Sequence, residues 1–284
     1  MKIFRNRIYC MDCMELLSEI PEGYVSLILT DPPYGICYQN QFTRHRHAHI
    51  VGDVGIDYER FVRECYRILK DNCHGYFFTR FDCYPYHFEC LRRAGFIVKN
   101  CLVIEKGTLG GIGDLYGSYA NNAEWVLFCQ KGRRVFNQTT LLRNRKKAGI
   151  GNRPGKPYKT RHNACWFGEE YPKATYNSNW QKRNGIYHPA IKNAECLSWL
   201  IQISSRPGEI VFDGFMGTGS TAVAAVHTGR AYLGAEIVPE YFAIARKRIL
   251  EAEEGSMSGG EGNHGYIPKP GGDVGKGPGF DTEV

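Results

Sequence analysis

Apolar positions along the chain fall into short continuous runs and helical stripes that alternate. Val25 to Leu29 is an unbroken apolar run apart from Ser26, the signature of a strand buried on both faces. Ile8 to Cys10, Gly75 to Thr79, Phe96 to Ile104, Glu124 to Cys129, Glu209 to Phe212 and Ala231 to Ala235 read as further strands. Between them, Glu15 to Ile20 fits a helical turn closed by Pro21 and Gly23. Tyr58 to Lys70 places Phe61, Cys65, Ile68 and Leu69 on one helical face behind a capping Asp57. Pro85 to Ala94, Ala194 to Ser205, Ser220 to Thr228 and Pro239 to Glu251 complete the helices. Strands alternating with helices predict an α/β fold: a Rossmann-like, doubly wound, mostly parallel sheet.

Three stretches lack this periodicity. Gly35 to Asp57 is polar and carries His45, His47 and His49, which suit solvent or a phosphate better than a metal on so open a loop. Lys106 to Gly117 is a glycine-rich connection. The third, residues 133–185, reads as an insertion outside the sheet. The layout is therefore 1–132 for one half of the α/β domain, 133–185 for the insertion, 186–254 for the other half, and 255–284 for a disordered tail of Gly, Pro, Ser and Lys.

Composition narrows the class. With 284 residues, 43% hydrophobic and 23% charged, the chain has an ordinary globular composition. No apolar run has the length of a membrane span, and the N-terminus has no signal-peptide core, so a cytoplasmic location is expected. Eleven cysteines, an odd number in a large chain, point away from a disulfide framework. Cys10 and Cys13 have C-x-x-C spacing without a second pair, so no metal site is expected.

The net charge of +7 is unevenly spread. Arg133 to Arg183 holds thirteen Lys and Arg, Arg143, Arg145, Lys146, Lys147, Arg153 and Arg161 among them, against Glu169 and Glu170 alone. That segment carries +11 and the remainder −4. Its basic residues are interleaved with Tyr158, His162, Trp166, Phe167, Tyr171, Tyr176 and Trp180, a mixture suited to a polyanion with bases to stack on.

Two motifs end strands. The Val25 run stops at Asp31-Pro32-Pro33-Tyr34, because proline cannot donate to a sheet ladder. This puts a carboxylate and an aromatic ring at a strand's carboxyl end, where open α/β sheets bind ligands. The second motif, Phe212-Asp213-Gly214-Phe215-Met216-Gly217-Thr218-Gly219-Ser220-Thr221, is a strand end, a glycine turn and a helix start. It has the spacing of a phosphate loop, but Ser220 stands where the lysine belongs, which excludes an NTPase. The dinucleotide pattern fails as well, since Ala222 occupies the third glycine's place. Glu236 ends the next strand, where an acid commonly accepts hydrogen bonds from ribose hydroxyls. A ribose site without means to hold a pyrophosphate fits S-adenosylmethionine, a nucleoside joined to an amino acid.

At these residues the chain resembles the amino-group DNA methyltransferases, specifically the circularly permuted class in which Asp-Pro-Pro-Tyr precedes the cofactor motif. Asp31 to Tyr34 matches the catalytic motif in full. The cofactor turn departs at Gly214, where proline is usual. His188-Pro189-Ala190-Ile191-Lys192-Asn193 resembles the segment leading into the next helix, with departures at Ala190 and Asn193. Cys10 to Leu17 resembles the usual start, with Met11 where glycine is common. The resemblance implies that Asp213, Phe215, Gly217 and Gly219, with Ser220 and Thr221 of the same turn, cradle the methionine part of S-adenosylmethionine. It implies Glu236 on the ribose, Asp12 and Cys13 beside the adenine, Lys192 near the cofactor's carboxylate, and Asp31 bordering the cofactor as well as the target.

It also implies that Asp31 and the Pro32 carbonyl accept the two N–H groups of an exocyclic amine, with Pro33 completing the turn. Tyr34 would stack on a base rotated out of double-stranded DNA. The basic insertion would recognise the target, Arg143, Arg145, Lys146, Lys147, Arg153 and Arg161 contacting DNA. Aspartate at the first motif position is commoner among adenine enzymes, so the expected product is N6-methyladenine, as in restriction–modification. N4-cytosine, RNA adenine and an inactive DNA-binding relative are the alternatives. C5-cytosine chemistry is set aside because no cysteine follows a proline. A separate restriction endonuclease and a homodimer are partners the sequence leaves open.

Overall fold

A computed structural model describes residues 3–34, 56–105, 123–134, 136–137, 165–166 and 192–257. In chain order the elements are β1 (Arg7–Tyr9), α1 (Cys13–Glu19), β2 (Val25–Thr30), α2 (Tyr58–Ile68), β3 (Leu69–Thr79), α3 (Tyr84–Arg93), β4 (Ile97–Glu105), β5 (Ala123–Lys131) and β6 (Cys165–Trp166). Then follow α4 (Ala194–Ser204), β7 (Ile210–Asp213), α5 (Ser220–His227), β8 (Ala231–Ala235) and α6 (Pro239–Met257).

The strands form one sheet in the order β1-β8-β7-β2-β3-β5-β4-β6. From β1 to β3 every pairing is parallel, and β5 runs antiparallel between β3 and β4. The sheet is covered on both faces, as the continuous apolar strands require. On one face α4, α5 and α6 pack Leu200, Ile201, Ala222, Ala224 and Ala245 against Leu27, Leu29, Tyr76 and Val211. On the other, α1, α2 and α3 pack Leu16, Leu17, Phe61, Cys65 and Leu91 against Ile28, Phe77 and Phe212. Strand β2 lies at the centre, with Val25, Leu27, Ile28 and Leu29 all without exposed surface. Each such side chain contributes about 1.5–3 kcal/mol through burial, which fixes this strand as the anchor of the domain.

Local chemistry sets the helix starts. Asp12 caps α1 by accepting from the Met14 amide at 2.7 Å, and Asp57 caps α2 by accepting from Arg60 at 2.9 Å. Asn193 caps α4, accepting from Glu195 and Cys196 at 2.8 and 3.2 Å. This accounts for asparagine at a position where the chain departs from the family pattern.

Three boundaries differ from expectation. Strand β3 begins at Leu69 rather than Gly75, directly after α2. Lys70, Asp71 and Asn72 hide it from a hydrophobicity reading, but antiparallel pairing with β5 extends to Cys73 opposite Lys131. The buried Lys131 ammonium then donates to the carbonyls of Tyr66 and Leu69 at the end of α2.

The insertion does not lie wholly outside the sheet, since Cys165–Trp166 pairs in parallel with Val103 and Ile104. An edge strand such as β4 presents unpaired backbone groups that accept a segment of this kind. The first residues of the insertion belong to the body as well: Phe136 packs on the core, and Arg134 ion-pairs with Glu209 at 2.9 Å. Finally, α6 runs on to Met257, past Glu251 and into the first residues assigned to the tail. The rest of the tail, most of Gly35 to Asp57 with its three histidines, and the Lys106 to Gly117 connection lie outside the described residues. Among the described residues no helix is long and apolar enough to cross a membrane.

Candidate active site at the carboxyl edge of the sheet

The two motif strands are neighbours. Leu27 and Ile28 of β2 pair in parallel with Val211 and Phe212 of β7, so both strands end at the same edge. The Thr30 hydroxyl donates to Asp213 Oδ1 at 2.8 Å, tying the last residue of β2 to the last of β7. Asp31 follows Thr30 directly, so the first motif lies beside the second although they are far apart in the chain. Asp213 is buried and also accepts from the Phe215 amide at 3.0 Å and from the Thr221 hydroxyl. Burial, partly offset by these bonds and reinforced by the charge of Asp31, pushes its carboxyl up to about 6.

The glycine turn is shaped by close approaches. Gly217 and Gly219 have φ of 53° and 86°, left-handed conformations that favour glycine. A side chain on Gly219 would also come within 3.1 Å of Ala245 in α6. At Gly234 of β8 a Cβ would lie 2.2 Å from the Asp213 carbonyl oxygen and 2.4 Å from Met216 Cε, so only glycine lets β8 pass behind the turn. Gly214 is closely packed: a Cβ there would lie 3.2 Å from the Phe61 ring and 3.5 Å from Cys13 Cβ. The α1 N-terminus, with Asp12 and Cys13, thus borders the turn, and Phe215 sits edge-on to Phe61 at 5.1 Å. Burial, helped by Asp12 and Asp213, raises the Cys13 thiol to about 12, so it stays protonated. Outside the turn, Arg248 of α6 donates to the Thr218 carbonyl and hydroxyl at 2.5 and 2.9 Å and reaches Ser220 at 3.5 Å.

Glu236, just past β8, is buried beside this turn. Its Oε2 accepts from the Gly217 amide at 2.7 Å and its Oε1 from the Val238 amide at 2.8 Å. Burial raises its carboxyl, and these amide bonds pull the other way. The Ile237 amide bonds this carboxylate as well, and of its roughly four acceptor positions one is left for a ligand hydroxyl.

Around Asp31 a second set of groups converges. The half-buried Tyr34 hydroxyl donates to Asp31 Oδ1 at 2.5 Å, and the Lys192 ammonium is 2.8 Å from Asp31 Oδ2. The same ammonium donates to Glu124 Oε1 at 2.9 Å and sits 4.7 Å above the Phe78 ring. Burial works against the Lys192 charge, but the two carboxylates outweigh it and raise its pKa. For Tyr34, burial and then the Asp31 charge hold the phenol well above its ordinary value. Behind it, His87 stacks on Tyr58 with ring centres 3.9 Å apart and exchanges a hydrogen bond with Thr79 at 2.8 Å. Burial lowers His87 to about 4, so this supporting ring is neutral at physiological pH.

The structure thus gathers Asp12, Cys13, Asp31, Pro32, Pro33, Tyr34, Lys192, Asp213, Phe215, Gly217, Gly219, Ser220, Thr221 and Glu236 along one edge. Arg143, Arg145, Lys146, Lys147, Arg153 and Arg161 lie outside the described residues. Thr30, Glu124 and Arg248 are additions that the sequence reading missed. Glu124 reaches this edge because β5 is antiparallel, which places its start beside the end of β3, Trp125 opposite Thr79.

Comparison with known proteins places the chain among DNA methylases. The N6_N4_Mtase family model, described as DNA methylase, matches residues 25–247. The putative methylase YubD of Escherichia coli K12 is 24% identical over 259 residues, covering 91% of this chain and 96% of that protein. The DNA adenine methyltransferase YhdJ of the same organism is 28% identical over 250 residues, covering 84% and 80%. The crystal structure of an M1.HpyAVI–SAM complex shares the fold with a TM-score of 0.61 at 21% identity, covering 86% of this chain and 98% of that one.

Proposed function

The chain belongs to the N6_N4_Mtase family of DNA methylases, and we propose that it transfers a methyl group from S-adenosylmethionine to the N6 amino group of adenine in duplex DNA. The observation that carries this reading is the Thr30–Asp213 hydrogen bond between parallel neighbours, which sets Asp31 beside the glycine turn. The donor set of the turn fits the cofactor. It has a buried acid with acceptor capacity left for a ribose hydroxyl and no lysine for a phosphate. When bound, S-adenosylmethionine supplies a methyl group that leaves the sulfonium, its bonding pair staying on sulfur, as the amine nitrogen bonds to it.

In this reading Glu236 accepts from the ribose hydroxyls, and Asp12 and Cys13 border the adenine of the cofactor. Asp213, Phe215, Gly217, Gly219, Ser220 and Thr221 hold the methionine part, close to Lys192. Asp31 and the Pro32 carbonyl each accept one N–H of the target amine. This turns the nitrogen lone pair out of conjugation with the ring, and positioning and electrostatics then govern the transfer. Tyr34 stacks on the displaced base, held by its bond to Asp31 and backed by His87 and Tyr58. Arg143, Arg145, Lys146, Lys147, Arg153 and Arg161 are assigned to the DNA backbone and bases. Aspartate at position 31 and the adenine-specific relative YhdJ favour adenine over cytosine.

The test is transfer of a labelled methyl group to duplex DNA, followed by digestion and separation of nucleosides. Label in N6-methyl-2′-deoxyadenosine is the expected result. Label in N4-methyl-2′-deoxycytidine would reassign the base, and no label in DNA, with label appearing when RNA or protein is offered instead, would overturn the reading.

A narrower prediction concerns Glu236. Replacing it with glutamine keeps its size but exchanges one acceptor for a donor, facing amides that already donate. The apparent KM for S-adenosylmethionine is expected to rise about tenfold or more with a smaller change in kcat, because the lost bonds act in ground and transition states alike. Steady-state kinetics check this, and an unchanged KM removes Glu236 from the cofactor site.

A further inference from the structure

Three charged side chains meet at the sheet edge, and the methyl-transfer roles described above use only one of them directly. The Lys192 ammonium lies 2.8 Å from Asp31 Oδ2 and 2.9 Å from Glu124 Oε1. The three side chains are 14%, 22% and 18% exposed respectively, so water screens them poorly. A lysine in direct contact with Asp31 is a problem for the proposed reaction. As the N–C bond forms, positive charge appears on the amine nitrogen, and it persists until one N–H proton passes to water. An aspartate neutralised by a lysine offers that charge little stabilisation. Glu124 answers the difficulty: the set of one ammonium and two carboxylates carries −1 rather than zero.

We infer that Glu124 is a positioning residue for methyl transfer, holding Lys192 in a shared pair so that Asp31 keeps both its place and its negative field for the target amine. Lys192 fixes Asp31 Oδ2 while Tyr34 fixes Oδ1, so the carboxylate cannot swing away. The Phe78 face beneath the ammonium completes the cage. Glu124 is not among the residues assigned to the cofactor or to DNA, and it accepts a hydrogen bond from Lys192. Its loss should therefore appear in the chemical step and not in either binding step. This inference rests on the methyltransferase reading of the site.

The experiment is single-turnover methylation of duplex DNA by the full chain and by Glu124→Gln, Glu124→Asp, Lys192→Met and the Glu124→Gln/Lys192→Met double variant. Methylation by the unaltered chain tests the underlying reading on its own, and its failure would refute that reading rather than the role of Glu124. With an active parent, Glu124→Gln is expected to slow transfer about 10- to 30-fold. That is less than the loss of a group touching the amine. The concentrations of S-adenosylmethionine and DNA that half-saturate the single-turnover rate should stay within about twofold. Glu124→Asp, which keeps the charge with a shorter reach, should recover most of the rate. In the Lys192→Met background, where no ammonium offsets Asp31, removing the Glu124 charge should cost less than about threefold. Equal losses in both backgrounds, full activity in Glu124→Gln, or Glu124→Asp as slow as Glu124→Gln would each overturn the proposal. The comparison of aspartate with glutamine stands even where Lys192→Met fails to fold.

Discussion

Replacing Asp31 with alanine is expected to lower the rate of methyl transfer by at least about 10³-fold while S-adenosylmethionine affinity stays within about threefold. An exocyclic amine is a poor nucleophile because its lone pair is delocalised into the base. In the proposed mechanism Asp31 takes one N–H and stabilises the charge that develops on nitrogen, an interaction that strengthens only toward the transition state. Its carboxylate is engaged by Tyr34 and Lys192 and supplies none of the hydrogen bonds that hold the glycine turn. The turn is held by other bonds: Glu236 to Gly217, Arg248 to Thr218, and Asp213 to Phe215. Alanine also leaves the Tyr34 hydroxyl without this partner and leaves Lys192 on Glu124 alone. Asp31→Asn is therefore the better-controlled comparison, with the same shape and no charge. Single-turnover rates and calorimetric titration with the cofactor separate the two effects. A parallel loss of affinity and rate would move Asp31 from the amine to the cofactor.

Much of this site is visible in the chain because each half of it interrupts a buried strand. The run ending at Leu29 and the run ending at Phe212 are apolar enough to be central strands, and an acid after such a run has nowhere to go but the sheet edge. Parallel pairing then carries both acids to the same edge. What the sequence conceals is lateral: which strand neighbours which, and in what direction. Glu124 looks like an ordinary first residue of a strand, and only the antiparallel insertion of β5 between β3 and β4 turns it toward Asp31. Thr30 is hidden for a similar reason. It reads as the polar end of an apolar run until β7 is placed beside β2. Strand β3 is missed over its first half because Lys70, Asp71 and Asn72 are exposed while their backbone continues the strand. Hydrophobic periodicity reports side-chain environment, and at those residues the strand has no buried side to report.

Asp213 ought to make the protein's stability depend on pH in a direction opposite to most carboxylates, and Asp213→Asn should remove that dependence. The carboxyl is pushed up to about 6 in the folded chain, first by burial, against about 3.9 for an unfolded aspartate. Between these values the folded state keeps a proton that the unfolded state has lost. The group's contribution is therefore fully present below about pH 4 and is lost as pH rises through about 6. At pH 8 the folded chain carries a buried charge, at a cost of up to about 3 kcal/mol.

Asparagine fits the same space, and its oxygen can still accept from Thr30 and Phe215, the two bonds that join β2 to the turn. Urea unfolding of Asp213→Asn is expected to match the parent near pH 4 and to exceed it by about 1–3 kcal/mol at pH 8. The same variant should bind S-adenosylmethionine less well at pH 8, because in the proposed site the aspartate's charge faces the methionine end of the cofactor. Stability and binding should thus move in opposite directions, as expected where a buried charge is kept for function rather than for folding. A stability difference that is constant from pH 4 to 8 would show that the proton on Asp213 is not what sets it, and unaltered cofactor binding would place the carboxylate behind the turn as a purely structural link between β2 and β7.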